Sequence, residues 1–147
     1  MTTPTYDQSN PSSIESFGKN LVKKTLRNTP GVKEIPKEFF QETGGESTKG
    51  TFGALVEKYY YGINPGNVAC SPDFKTAGVE LKTTSVIKGQ KKFLSKERLS
   101  LGIINYNDIV TETFGSSCFM KKNKTMLLIG RRFKTKEDVL VDARIDF

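Results

Sequence analysis

The sequence contains no histidine. That absence excludes serine–histidine hydrolases, zinc–histidine sites and nucleases built on a histidine base. Cysteine is nearly as scarce. Cys70 and Cys118 are too few and too far apart in sequence for a zinc site, and they read as small buried hydrophobes of a reducing interior. No apolar run approaches the length of a membrane span, and the polar start MTTPTYDQSNPSS is no signal peptide, so the cytoplasm is the expected location and no membrane is an expected partner. What is present suits one domain: 147 residues, enough for a single core.

Positive charge is in excess, and it is not spread evenly. Residues 1–80 hold nine acidic and nine basic side chains, whereas residues 81–147 hold seven acidic and fourteen basic ones, so the whole excess of +7 lies in the second half. One-sided basicity suits a polyanionic partner, and a solvated surface is the alternative. Lys88, Lys91, Lys92, Lys96 and Arg98 form one basic cluster, and Lys121, Lys122 and Lys124 a second. Both fit contacts to phosphate, which supply affinity with little sequence information.

The hydrophobic pattern sets the expected elements. Residues 1–11 read as a loose polar arm, ahead of a domain over residues 12–147. Ser12 and Glu15 have capping-box spacing, and Ile14, Phe17, Leu21, Val22 and Leu26 recur at helical intervals, which predicts a helix to about Asn28. Phe52, Leu55, Val56, Tyr59 and Tyr60 form the apolar stripe of a second helix, closed by Gly62 and Pro65. The tyrosines on that stripe read as core rather than as a base-stacking platform. Gly53 and Glu57, four residues apart, share its flank. Strands are predicted over residues 78–86, 98–106, 126–130 and 138–145, the third buried and the last an outer one, with a short helix within 111–122. Helices followed by strands suggest an α/β or α+β domain around a mixed sheet.

The segment SPDFKTAGVELKT, residues 71–83, carries the candidate chemistry. In a strand, residues two apart project from one face, so Glu80 and Lys82 point together. Asp73 precedes the strand, where a turn brings its carboxylate beside that of Glu80. Two adjacent carboxylates repel, and Mg2+ relieves the repulsion, since it takes a few carboxylates and otherwise keeps water. Lys82 would orient the attacking water or neutralise charge developing on the phosphorane. Glu-x-Lys on an exposed strand is also an ordinary solvated pair. Glu57 adds a third acid to the candidate metal set Asp73, Glu80 and Glu57.

KGTFGALVEKYY followed by PDFKTAGVELKT resembles the MutH mismatch-repair endonuclease and its relatives, the GATC-cutting type II restriction enzymes; SKERLSLGIINY is most similar to the restriction branch. The likeness covers about residues 49–129. It implies a PD-(D/E)xK nuclease fold, a mixed sheet flanked by helices, and hydrolysis of double-stranded DNA at GATC-type sites with Mg2+. Glu57, Asp73, Glu80 and Lys82 match the family's catalytic positions, Lys122 looks like a further active-site lysine, and Lys49 with Gly50 matches a pair that approaches DNA. Family members continue beyond the position matching Phe147 through segments that read bases, so the chain reads as the N-terminal catalytic domain of a longer enzyme, with low sequence discrimination of its own. A second domain of the same parent chain, a homodimer on a palindromic site, a nicking repair activity and a non-cleaving DNA-binding module are the arrangements the resemblance leaves open.

Overall fold

A computed structural model of the chain describes residues 6–30, 32, 34–41, 50–66, 68–96, 98–102, 105–133 and 138–147. Four strands make one mixed sheet in the order β2-β1-β3-β4. β1 (Val79–Lys88) and β3 (Thr125–Phe133) form its parallel centre, with Glu80 beside Met126 and Lys82 beside Leu128. β2 (Phe93–Ser95) and β4 (Arg144–Ile145) are short antiparallel edges. The α/β class with a mixed sheet is the one the sequence predicts. No described helix is long and apolar enough to cross a membrane.

The period-2 pattern of β1 gives the sheet two different faces. Val79 and Leu81 project into the core, against Ile14, Phe52, Leu55, Val56, Tyr60 and Tyr61. Arg131 of β3 lies on that face, donating from Nε to the Ser85 hydroxyl at 3.0 Å with its guanidinium 4.3 Å from the centre of the Phe52 ring. Glu80 and Lys82 project from the other face. Their β3 neighbours Met126 and Leu128 are 43% and 39% exposed, so the first half of β3 is open on this face, where the sequence predicted a buried strand.

The helices are shorter than their hydrophobic stripes. α1 (Pro11–Lys19) is capped by Asn10, whose side chain accepts from the Ser12 N–H at 3.0 Å, so Asn10 and not Ser12 is the cap. It stops well before Asn28 because the chain turns to bond β4: Lys23 takes a φ of +66°, its N–H donates to the Ile145 carbonyl, and the Ile145 N–H donates to the Lys24 carbonyl. Leu21 and Leu26 are still buried, from irregular chain. Within the expected loose arm, Tyr6 is anchored, its hydroxyl donating to the Tyr61 carbonyl at 2.7 Å and its ring stacked on Phe17, while residues 7–11 are exposed.

α2 (Thr51–Leu55) continues as a π-helical turn over Val56–Tyr61 and ends at Gly62, φ +70°. The wider i→i+5 winding rotates the last residues, so Tyr61 becomes fully buried and Tyr59 only partly, the reverse of a regular helix. No strand forms over the described part of 98–106. The nearby edge of β1 is already bonded, the Ser85 carbonyl to the Lys96 N–H and the Leu81 N–H to the Asp73 carboxylate. The tight turn at Gly89 instead folds Phe93–Ser95 back as β2. Residues 105–123 contain two short helices, α3 (Tyr106–Ile109) and α4 (Cys118–Asn123). Of the outer strand expected over 138–145 only Arg144–Ile145 pairs, after a 3-10 turn at Leu140–Asp142 that buries Leu140 and Val141.

Candidate active site

Glu80 is the centre of the site and only 1% exposed. A carboxylate that deep requires partners, because burial without them costs several kcal/mol. Glu80 Oε1 lies 2.7 Å from Lys82 Nζ and 3.6 Å from Lys122 Nζ. Its other oxygen, Oε2, accepts from the Asp73 N–H at 3.3 Å. Lys82 is two residues along the same strand, while Lys122 arrives from the last turn of α4, itself capped by Ser117, whose hydroxyl accepts from the Met120 N–H. Strand periodicity therefore sets one lysine and helix placement the other.

Asp73 is held at the edge of β1. A bridge between Phe74 and Val79 turns the chain back on itself, and Asp73 Oδ2 accepts from the Leu81 N–H at 2.8 Å, occupying the ladder position of a neighbouring strand. Burial raises the Asp73 carboxyl above its ordinary range; the Leu81 N–H pulls against that, and the charge of Glu80 adds to it. Glu57 reaches the same cluster from the π turn of α2. Burial first, then the charges of Asp73 and Glu80, push its carboxyl up to about 7, against the opposing pull of Lys82 and Lys122. Gly53 makes this approach possible: a Cβ there would sit 3.1 Å from Thr83 Oγ1 of β1 and 3.9 Å from Glu57 Oε1.

The five residues named from the sequence, Glu57, Asp73, Glu80, Lys82 and Lys122, are thus brought together. The donor set fits a hard divalent cation, since the acids offer oxygen ligands and the Glu57 and Asp73 carboxyls are held in favour of the proton by neighbouring negative charge, which a cation would offset. Among the described residues no three acidic or cysteine side chains close on one point tightly enough for a three-ligand cluster.

The first basic cluster lies elsewhere. Lys91 and Lys92 are exposed in the turn joining β1 to β2, Lys88 is exposed at the end of β1, Arg98 is exposed beyond β2, and Lys96 is half-buried. At a strand rise of ~3.3 Å per residue, Lys88 is roughly 20 Å along β1 from Lys82. Gly50 is exposed at the start of α2 with φ +82°, and Lys49 lies outside the described residues.

The cysteines correct the sequence reading. Rather than free buried hydrophobes, Cys70 and Cys118 are joined in a disulfide, Cα atoms 4.4 Å apart, with Cys70 exposed and Cys118 half-buried. Sequence separation gave no sign of the pairing. The available signal was position: Cys70 lies just before Asp73 and Cys118 one helical turn before Lys122.

Residues 61–146 match the family described as DNA mismatch repair enzyme MutH. The chain belongs to the MutH family. It is also 35% identical over 118 residues to the type II restriction enzyme Sau3AI of Staphylococcus aureus, an alignment spanning 78% of this chain and 23% of that enzyme. The chain therefore spans about a quarter of the length of this relative. Asp73, Glu80, Lys82 and Lys122 fall inside the matched MutH segment, whereas Glu57 precedes it.

Proposed function

We propose that this chain is the catalytic domain of a Mg2+-dependent type II endonuclease that hydrolyses phosphodiester bonds of double-stranded DNA at GATC-type sites. The observation that carries this reading is the convergence of Asp73 and Glu80 with two lysines on one carboxylate. Asp73 and Glu80 would hold the metal, with Glu57 at the edge. A bound Mg2+ supplies Lewis-acid polarisation of the scissile phosphate and favours ionisation of water. Lys82 and Lys122, preorganised on Glu80, would lie where negative charge grows on the phosphorane, and Lys82 would also orient the attacking water. The exposed lysines of the β1–β2 turn would track the phosphate backbone.

The description of the matched family as a repair enzyme favours a second reading, nicking of one strand. Incubation of supercoiled plasmid with the protein and Mg2+ separates the two. Linear product that disappears on chelation supports the restriction reading, and open circles alone support nicking. No metal-dependent cleavage, with DNA binding retained, would leave a non-cleaving binding module.

A further inference from the structure

The single disulfide among the described residues joins two margins of the site, not its core. Cys70 stands three residues before Asp73, in a stretch exposed from Asn64 to Gly66 and from Val68 to Cys70. Its φ is +60°, a left-handed conformation that a non-glycine residue seldom keeps without an external hold. Cys118 opens α4, and Lys122 follows one turn later. With six residues α4 is too short to persist on its own hydrogen bonds. Residues 111–116 leading into it are exposed, anchored by Glu112 accepting from the Cys118 N–H at 3.2 Å. The disulfide thus ties the segment that delivers Asp73 to the helix that delivers Lys122.

We propose that the Cys70–Cys118 disulfide is a redox-controlled positioning device for the active site, acting through Lys122. This rests on the nuclease reading above. Intact, it keeps Lys122 at Glu80 beside Asp73; reduced, α4 separates from the Asp73 segment and turnover falls. Reduction by a small dithiol transfers two electrons and two protons to Cys70 and Cys118, which become thiols, while the dithiol closes to its own disulfide. Cys70 is exposed, so a thiolate can reach it.

The test compares oxidised and dithiol-reduced protein, with far-UV circular dichroism confirming that both are folded. In single-turnover cleavage of duplex DNA with Mg2+, reduction should slow the rate at least about tenfold, leave DNA affinity within about twofold, and be reversed by reoxidation. Cys70→Ser/Cys118→Ser should cut at the reduced rate in either condition. In Lys122→Met the redox effect should vanish. Equal oxidised and reduced rates, or an undiminished effect in Lys122→Met, would overturn the proposal. Should neither form cut DNA, the nuclease reading fails separately, and hydrogen exchange decides the tether. Faster exchange over residues 118–123 on reduction supports it, and unchanged exchange overturns it.

Discussion

Glu57 holds a proton that an ordinary glutamate would have lost. Its carboxyl is raised from 4.5 to about 7, so between those values the folded protein binds a proton that the unfolded chain has released. Stability therefore falls as pH rises through that window, and the cost is fully present above pH 7. Glu57→Gln removes it. In metal-free protein the variant should gain on the order of 1–2 kcal/mol at pH 8, a figure discounted for the half-exposed position, and almost nothing at pH 4.5. Urea melts in chelator at the two pH values measure this; an equal gain at both would remove ionisation as the cause. Lys82 invites a different experiment. Lys82→Met keeps most of the bulk and removes the charge, and cleavage should slow about a hundredfold or more, as for loss of a preorganised group at a developing oxyanion. A loss under tenfold would make Lys82 a structural partner of Glu80.

At the scale of elements, the site depends on how closely α1, α2 and β1 approach. Gly18 of α1 faces the Tyr61 hydroxyl, where a Cβ would lie 2.6 Å from Oη, and Tyr61 is fully buried. Gly18→Ala gains about 1 kcal/mol of helix propensity, but overpacking a site that cannot yield costs about 1–3 kcal/mol. The net expectation is a Tm lowered by roughly 2–6 °C; an unchanged or raised Tm would mean that Tyr61 relaxes freely. The elements that organise the site were the most legible in the sequence. Glu80 and Lys82 followed from strand periodicity, and the Gly53–Glu57 flank from helical spacing. The C-terminal end of α1 and the 98–106 segment were not legible, because hydrogen bonds to distant chain decide them: Lys23 and Lys24 to Ile145, and Lys96 to Ser85. The π turn was equally hidden, since a hydrophobic stripe does not reveal one extra residue of winding. Lys122 came from family resemblance alone; no local pattern marks a helix terminus as facing a strand 40 residues earlier.

For the whole molecule, charge and chemistry are separated along β1, with an ionic cluster around the buried Glu80 at one end and exposed lysines at the other. Burying Glu80 among lysines is poor economy for stability alone, which is reason to assign the cluster a functional role. The exposed end should govern affinity. Lys91→Gln/Lys92→Gln should lower the log–log salt slope of duplex binding by about one unit per lost phosphate contact while leaving cleavage of bound DNA unchanged. An unchanged slope would return that cluster to a solubility role. Glu80 is the carboxylate that meets the Asp73 N–H, Lys82 and Lys122 at the centre of the cluster. The deciding measurement is Mg2+-dependent cleavage by Glu80→Ala alongside its duplex-DNA affinity at fixed salt. Cleavage should be abolished and affinity largely retained, because the loss falls on the transition state. A variant that cuts as fast as the wild type would contradict the assignment of this cluster as the catalytic centre.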